Sequence, residues 1–317
     1  MKWPLLCIVG PTAVGKTSIS IKVAKRLKGE IISGDSMQIY RYMDIGTAKP
    51  SPEEKKEVPH HLIDIIEPHD PFSVADFQKE VFKLIPEIAS RNRLPIMVGG
   101  TGLYLKAVID QYDFSESKAD WDLRKKLKDQ ANRWGIEHLY ERLKKVDPLS
   151  AEKIHPHDEK RIIRALEVYL TTGRPISNQK RKPVEERISL KTLLIGLMMN
   201  RQRLYARIEE RVDKMIEEGL EEEARNLLKQ GYKPDLVSMQ GLGYRHMIKY
   251  IKGQYTKEEM VESLKRDTRR FAKRQLTLFR RDQRIKWINR ENFSREEEIV
   301  EKICILAGES NLTSKLK

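Results

Sequence analysis

The first third of the chain alternates short apolar runs with segments whose apolar residues recur at helical spacing. Short runs of this kind predict buried strands, and helical spacing predicts amphipathic helices between them. The segments are residues 5–9, 17–27, 30–33, 74–89 and 95–98. Because strands and helices alternate, we predict an α/β fold with a parallel sheet covered by helices. A loop-like stretch at residues 35–71, rich in proline, histidine and charge, interrupts the pattern.

The pattern changes at about residue 112, where helical segments dense in charged residues begin. We interpret residues 112–199 as an all-helical insertion in a core made of residues 1–111 and 200–317. Residues 191–197 (Lys-Thr-Leu-Leu-Ile-Gly-Leu) favour one more buried strand, which would return the chain to the first sheet. The C-terminal part is predicted to add two helical segments and a disordered tail, at residues 201–229, 257–282 and 309–317.

Composition limits the classes of partner and compartment. Lysine plus arginine number 61 against 47 aspartate plus glutamate, which gives a formal net charge of +14. Such an excess favours polyanionic partners, with nucleic acid first among them. The two cysteines, Cys7 and Cys304, lie far apart and form no disulfide framework, so we expect a protein of the reducing cytoplasm. No apolar run approaches a membrane span, and we expect no membrane partner and, by default, a monomer.

A phosphate-binding loop follows the first predicted strand. Residues 10–17 match the pattern G-x-x-x-x-G-K-[ST] between a strand and a helix, which is the context that this motif requires. In such a loop backbone N–H groups bind phosphate oxygens, the lysine adds a positive charge, and the hydroxyl can ligate Mg²⁺. We therefore predict a P-loop NTPase-like core that binds a di- or triphosphate, with Thr17 as the metal ligand. The loop residues are Gly10, Pro11, Thr12, Ala13, Val14, Gly15, Lys16 and Thr17.

Two neighbouring turns bear on what the loop does with its phosphate. A P-loop NTPase carries an aspartate after a buried strand to hold Mg²⁺, but the strand near residue 98 ends in a Gly-Gly-Thr-Gly turn that contains Thr101. This turn offers N–H groups and a hydroxyl to further phosphate oxygens. Asp35 lies at the carboxyl end of another strand, where open α/β sheets place their ligands. Its position alone allows three roles: a ligand of Mg²⁺, a general base or a turn cap.

Motifs along nearly the whole chain are together similar to one enzyme family. Besides the phosphate loop they are residues 32–40 (ISGDSMQIY), 43–50 (MDIGTAKP), 58–64 (VPHHLID), 98–104 (VGGTGLY), 160–167 (KRIIRALE), 241–245 (GLGYR) and 270–275 (RFAKRQ). In this order they resemble the tRNA dimethylallyltransferase family, also called the tRNA isopentenyltransferases. Two positions depart from the family pattern: Gly34 stands where alanine is usual and Leu278 where tryptophan is common.

The resemblance implies a reaction. A dimethylallyl group would pass from dimethylallyl diphosphate to the N6 amine of an adenosine in tRNA, at position 37 beside the anticodon. The adenine amine is a weak nucleophile, so removal of its proton by a carboxylate helps, and the resemblance makes Asp35 this general base. It makes Thr101 a hydroxyl donor near the bridging oxygen, and Lys16 and Arg211 contacts of the diphosphate. Mg²⁺ at Thr17 would be the cofactor.

The resemblance also implies contacts with the anticodon stem-loop of tRNA. A base must leave its stack to react, which costs least in a single-stranded loop. The residues assigned to tRNA are Asp35, Ser36, Met37, Gln38, Thr101, Glu159, Lys160, Arg161, Ile162 and Ile163, with Arg164 added because it lies three positions after Arg161 on one helix. A second basic segment offers either a track for RNA phosphates or an ordinary solvated helix face. Its residues are Arg266, Arg270, Lys273, Arg280 and Arg284.

Two other functions remain open from the residues alone. A small-molecule or nucleoside kinase would hold ATP on the phosphate loop and use Asp35 for Mg²⁺ or to activate a hydroxyl, but it leaves the basic insertion unexplained. A non-enzymatic RNA-binding protein with a nucleotide switch would have no task for Asp35. Transfer of label from γ-labelled ATP would support the first, and full function of an Asp35→Ala variant would support the second.

Overall fold

The chain divides into two compact units. The computed structural model describes residues 2–114, 119–178 and 188–313. The first unit comprises Met1–Asp110 with Ile188–Lys317, and the second comprises Gln111–Arg187. The start of the second unit agrees with the predicted insertion, but its end lies before residue 188 and not at residue 199. The reason is that the strand predicted at residues 191–197 pairs with the first strand of the sheet and so belongs to the first unit.

A six-stranded sheet forms the centre of the first unit. Its strands are β1 Trp3–Val9, β2 Gly29–Ser33, β3 His60–His61, β4 Leu94–Gly99, β5 Leu190–Met198 and β6 Ile285–Asn289. They lie in the order β3-β2-β4-β1-β5-β6, and every neighbouring pair is parallel. The predicted α/β fold with a parallel sheet is confirmed. The carboxyl ends of β1, β2 and β4 meet at one edge, where sheets of this kind bind their ligands.

Four helices accompany the first four strands. They are α1 Lys16–Leu27, α2 Pro52–Glu57, α3 Val74–Ser90 and α4 Gly102–Ile109. The helix α3 begins with a capping box, in which the side chains and backbone N–H groups of Ser73 and Asp76 bind each other. Its buried residues Phe77, Val81 and Ile85 recur every four positions and face the sheet core. The stretch 35–71, predicted as a loop, contains α2 and β3.

The second unit is built from helices in its described part. They are α5 Trp121–Trp134, α6 Ile136–Val146, α7 Pro148–Ala151 and α8 Glu159–Thr172. One apolar core joins them, with Leu127, Leu139, Leu143 and Leu166 among its buried members. Because these residues face inward at helical spacing, most charged residues between them lie on the surface, whereas Asp147 and Glu167 are buried.

The first unit resumes with β5 and five helices. They are α9 Arg201–Glu217, α10 Leu220–Lys229, α11 Leu242–Ile251, α12 Lys257–Phe279 and α13 Glu296–Glu309. The helical segment predicted over residues 201–229 consists of α9 and α10, which are separated at Gly219, whose φ of 96° is left-handed. The apolar pattern predicts neither β6 nor α13. Leu312, in the tail predicted to be disordered, is 1% exposed and packs against the sheet core.

Apolar side chains cover both faces of the sheet. Leu6 and Ile8 of β1 pack into a cluster with residues of α1 and α13, whereas Leu5 and Cys7 pack against α3 on the opposite face. A strand buried on both faces has a continuous apolar sequence, which explains why β1 was recognisable. A third cluster joins α9, α10, α11 and α12 to the stretch that follows β2. Among the described helices, none is both long and apolar enough to cross a membrane.

Candidate active site at the phosphate loop

The phosphate loop joins the carboxyl end of β1 to the start of α1. Gly10 and Gly15 have φ angles of 153° and 88°, which side chains other than glycine rarely adopt. A Cβ atom on Gly10 would lie 2.6 Å from the carbonyl oxygen of Leu197, so glycine is required where β5 passes the loop. The Lys16 ammonium group donates to the carbonyl oxygens of Gly10 at 3.0 Å and Pro11 at 2.8 Å. The lysine therefore lies across the loop, beside the backbone that would bind phosphate.

Two arginines from the C-terminal part of the chain hold the loop from its outer side. Arg207 Nε donates to the carbonyl oxygen of Ala13 at 2.9 Å, and Arg290 Nη1 donates to that of Val14 at 2.6 Å. Arg290 fills the space beside Gly15, where a Cβ atom would collide with its guanidinium. Because arginine side chains bind the carbonyl oxygens of two successive loop residues, these peptide groups are held in one orientation.

Gln275 of α12 connects the phosphate loop to the turn after β4. Its Oε1 accepts from the backbone N–H of Thr12 at 2.9 Å, and its Nε2 donates to the carbonyl oxygen of Gly100 at 3.0 Å. The side chain is buried, so both hydrogen bonds are shielded from water. A Cβ atom on Gly100 would lie against this amide, and the turn therefore needs its glycine. Gln275 is the last residue of the motif at residues 270–275, and its sequence context alone indicates no role for it.

Asp35 lies two residues past the end of β2. Its Oδ1 accepts from the backbone N–H of Met37 at 2.9 Å. The N–H of Ser36 donates to the hydroxyl of Thr101 at 3.2 Å, which ties this turn to the start of α4. Asp35 and Thr101, predicted from separate motifs, thus lie on two turns in direct contact.

One cavity contains most of the predicted catalytic groups. Lys16, Thr17, Asp35, Gln38 and Arg211 all line it, together with Gln275 and the Gly99-Gly100 turn. Thr101 is the next residue of that turn. The cavity lies at the carboxyl ends of β1, β2 and β4, as the topology requires. Cationic groups from the phosphate loop and α9 therefore lie in the same cavity as one carboxylate.

The charges of this cavity favour an anionic ligand. Burial, and then the positive charge of Arg211, lower the pKa of Lys16 to about 7, while Asp35 opposes the shift. Burial also lowers the pKa of Arg211, again opposed by Asp35. Two buried cations repel each other, and a diphosphate bound beside both relieves that repulsion and the cost of their desolvation.

Three residues that the resemblance assigned to tRNA have side chains packed against apolar clusters. Met37 is partly buried against the apolar cluster of α9 to α12. The side chains of Ile162 and Ile163 lie in the core of the second unit, at 0% and 7% exposure. Direct contact of these two isoleucines with RNA is therefore excluded, because they hold α8 in its own unit.

The basic residues of α8 divide into two kinds. Arg161 is 70% exposed and Lys160 is exposed, so both can reach a ligand. Arg164 instead pairs with the buried carboxylate of Glu167 at 2.7 Å. The predicted common face of Arg161 and Arg164 thus separates into one solvent-facing and one structural arginine.

The basic segment of α12 is shorter than predicted. Arg266, Arg270 and Lys273 are exposed on the helix, but α12 ends at Phe279. Arg284 lies beyond it and pairs with Asp110 and Asp282, each at 2.7 Å. Arg284 therefore does not continue the predicted track.

A family model and several known proteins match this chain. The family model described as IPP transferase matches residues 38–282, more than half of the chain. The chain belongs to the IPP transferase family. The phosphate loop itself precedes the matched segment, so the family assignment and the loop are separate observations.

Relatives of this IPP transferase family member cover nearly its full length. It is 54% identical over 311 residues to the tRNA dimethylallyltransferase of Carboxydothermus hydrogenoformans. The aligned region covers 98% of this chain and 99% of that enzyme. A solved structure, the full-length tRNA isopentenylpyrophosphate transferase from Bacillus halodurans, is 48% identical with a TM-score of 0.73 and 99% coverage of both chains. A eukaryotic dimethylallyltransferase, solved acting on tRNA, is 28% identical with a TM-score of 0.73 and covers 90% of this chain and 73% of its own.

Proposed function

We propose that this protein transfers a dimethylallyl group from dimethylallyl diphosphate to the N6 amine of adenosine 37, beside the anticodon of tRNA, and releases diphosphate. The observation that carries the proposal is the single cavity that contains Lys16, Arg211 and Asp35. A diphosphate needs the cations, and a weakly nucleophilic amine needs the carboxylate. The family membership and the near full-length match to tRNA dimethylallyltransferases support the same reaction.

The reaction divides between the two sides of the cavity. The amine nitrogen forms a bond to the first carbon of the allyl group, and the bond from that carbon to the diphosphate oxygen breaks. The electron pair leaves with the diphosphate, whose growing charge is stabilised by Lys16, Arg211 and the N–H groups of the phosphate loop. Asp35 accepts the proton that the amine loses. Thr101 donates its hydroxyl near the bridging oxygen.

Mg²⁺ suits the donors of this cavity. The Thr17 hydroxyl and the Asp35 carboxylate both line it and offer hard oxygen ligands. Mg²⁺ in proteins is held by one or two such groups together with substrate phosphates and water. When bound, it would neutralise part of the charge of the diphosphate, with Thr17 as its ligand from the phosphate loop.

On α8, we assign the proposed tRNA contacts to residues at the helix start whose side chains solvent can reach. Lys160 and Arg161 of α8 offer positive charge to the phosphates, and Glu159 lies beside them at the start of the helix. On the first unit, Asp35, Ser36 and Gln38 receive the base. Such charge contacts position the RNA, while groups in the cavity select the base.

Mass spectrometry of tRNA tests the proposal. Unmodified tRNA is incubated with Mg²⁺, dimethylallyl diphosphate and the wild-type protein or the variants Asp35→Asn and Asp35→Ala. We expect a C5H8 addition on adenosine with the wild type, and a loss of about 10²-fold or more in rate for both variants. The variants should still bind diphosphate. No addition by folded wild-type protein, or phosphoryl transfer from γ-labelled ATP to a small acceptor, would overturn it.

A further inference from the structure

The amide group of Gln38 is held in one orientation beside Asp35. Its Nε2 donates to the carbonyl oxygens of Thr47 at 3.4 Å and Ala48 at 3.1 Å, and its Oε1 accepts from the Ser33 hydroxyl at 2.8 Å. A carbonyl oxygen can only accept a hydrogen bond, so the end of the amide that faces Thr47 and Ala48 is the NH₂ group and the other end is the oxygen. The oxygen keeps a second lone pair. Gln38 therefore offers the cavity an acceptor, with both amide hydrogens already used.

The carbonyl groups that fix Gln38 belong to a turn held by a carboxylate of α10. Glu223 Oε2 accepts from the backbone N–H groups of Asp44 and Ile45, both at 2.8 Å. Glu223 Oε1 accepts from the N–H of Gly46 at 3.0 Å and from the Tyr244 hydroxyl at 2.6 Å. Four donors occupy the four lone-pair directions of one carboxylate. No neutral side chain of this size can accept all four.

Packing holds the same turn against α11. Tyr244 is 0% exposed, and a Cβ atom on Gly46 would lie 2.5 Å from its Cζ atom. The turn therefore rests directly on the aromatic ring. Thr47 follows at once, and its hydroxyl donates to the carbonyl oxygen of Met43 at 2.6 Å. The positions of the Thr47 and Ala48 carbonyl groups thus depend on where Glu223 and Tyr244 hold residues 44–46.

We propose that Glu223 is a positioning residue for base recognition: it holds residues 44–46, and the Thr47 and Ala48 carbonyl groups then fix Gln38 as an acceptor. This inference rests on the proposed function. An acceptor in the cavity favours a base that carries an exocyclic amine. A base with a carbonyl oxygen at the same place would bring two hydrogen-bond acceptors together. Their repulsion would lower the affinity for that base relative to adenine.

The test compares Glu223→Gln with Glu222→Gln. Both substitutions remove one negative charge from the first turn of α10, but Glu222 is exposed and Glu223 bridges to the turn. In Glu223→Gln the new NH₂ group faces backbone N–H donors, so the turn loses part of its anchor. Tyr244→Phe is the milder variant, because it removes one of the four donors and keeps the ring.

The measurement is the ratio of two affinities. Dissociation constants are determined for two synthetic anticodon stem-loops that differ only at the modified base, which is adenosine in one and inosine in the other. Wild type should prefer adenosine, and Glu223→Gln should reduce this preference by about tenfold, the value of one hydrogen bond. Glu222→Gln should keep the wild-type ratio, and Tyr244→Phe should lie between. The KM for dimethylallyl diphosphate should be unchanged in all three.

The outcomes separate the inference from the proposed function. Equal weakening of both RNAs by Glu223→Gln would mean a merely structural role and overturn the inference, as would a wild type without preference. If Glu223→Gln does not fold, the ratio in Tyr244→Phe decides in the same way. If the wild-type protein does not modify the adenosine stem-loop, the proposed function itself is contradicted.

Discussion

Asp35 keeps one carboxylate oxygen for the substrate. Its Oδ1 accepts from the Met37 N–H at 2.9 Å, which orients the side chain, and a carboxylate oriented in this way is ready to take a proton. Lys16 and Arg211 line the same cavity as this carboxylate. The orientation of Asp35 is therefore set by a backbone group that does not itself react.

Thr101 offers a test of the proposed contact with the bridging oxygen. Its hydroxyl accepts from the Ser36 N–H at 3.2 Å and donates to the Ser36 hydroxyl at 3.5 Å, a long hydrogen bond that a substrate oxygen can replace. Thr101→Val removes the hydroxyl and should lower the single-turnover rate of transfer by about 10²- to 10³-fold, as the loss of one preorganised donor does elsewhere. Thr101→Ser keeps the hydroxyl and should stay within a few-fold of wild type. A wild-type rate in Thr101→Val would contradict the assigned role.

Glu30 gives a pH-dependent prediction about stability. Burial would raise the pKa of Glu30, but hydrogen bonds from Arg91 and His61 lower it below its ordinary value of 4.5. A depressed pKa means that the carboxylate stabilises the fold above about pH 4.5 and that this contribution disappears as the pH falls through the folded value. Glu30→Gln should therefore cost roughly 1–3 kcal/mol at pH 7 and progressively less below pH 4.5.

Urea unfolding at several pH values measures this difference. The matched control is Glu87→Gln, because Glu87 binds the same Arg91 at 2.8 Å but is 58% exposed. An exposed pair contributes little, so the control should change the free energy of unfolding by less than about 1 kcal/mol. A cost for Glu30→Gln that does not vary with pH would refute the explanation.

At the scale of single elements, the phosphate loop depends on segments far from it in the chain. Arg207 comes from α9, Arg290 follows β6, and Gln275 comes from α12. Each binds a backbone group of the loop. The strand and helix that flank the loop thus define where it lies, and these three side chains define its conformation.

Arg290→Ala should loosen the loop without touching the substrate. The side chain is 12% exposed, and its loss leaves the carbonyl oxygen of Val14 without its donor. We expect the KM for dimethylallyl diphosphate to rise about tenfold, because a loop that is no longer preorganised must be ordered on binding. The dissociation constant of tRNA should not change. The control is Arg295→Ala, since Arg295 is 76% exposed; equal effects of the two variants would rule the explanation out.

At the scale of the whole molecule, the two units have separate cores. The second unit carries a buried carboxylate, Glu167, which accepts from the Asp120 N–H at 2.7 Å, Arg124 at 2.9 Å and Arg164 at 2.7 Å. It is 0% exposed, so removal of its charge takes a buried carboxylate away from the guanidinium groups of Arg124 and Arg164. The network ties the start of α5 to α8.

Glu167→Gln should destabilise the second unit by about 3 kcal/mol. Hydrogen exchange followed by mass spectrometry should show faster exchange in α5 and α8, while β1 and β4 of the first unit keep their protection. Glu141→Gln is the matched control. Glu141 also forms an ion pair, with Lys144 at 2.7 Å, but its side chain is 62% exposed. Unchanged exchange in α8 of Glu167→Gln would contradict the prediction.

The net charge of +14 makes salt dependence a property of the whole protein. The logarithm of the tRNA binding constant should fall linearly with the logarithm of salt concentration as counterions are released. Arg161→Ala should reduce the slope by about 1, because one phosphate contact is lost. Arg295→Ala, on the first unit, should leave the slope unchanged. If the two variants give the same slope, the assignment of α8 to tRNA is wrong.

Features that depend on neighbouring residues could be predicted from the amino-acid sequence alone. The order of β1, α1, β2, α3 and β4 follows from local apolar periodicity, and the phosphate loop follows from eight consecutive residues. Asp35 and Thr101 became candidates because each lies near the carboxyl end of a predicted strand, and parallel strands end at one edge, but their catalytic roles came from the resemblance. The shared motifs predicted the family.

Contacts between residues far apart in the sequence depend on how the elements pack, and the sequence alone did not predict them. Gln275 binds Thr12 across 263 positions, and Glu223 binds residue 44 across 179, separations at which no local pattern carries information. Burial likewise separated Arg161 from Arg164, which look alike in sequence, because the partner Glu167 lies inside the second unit. Periodicity reports which side of an element is apolar, whereas the partners of a polar group depend on how the elements pack.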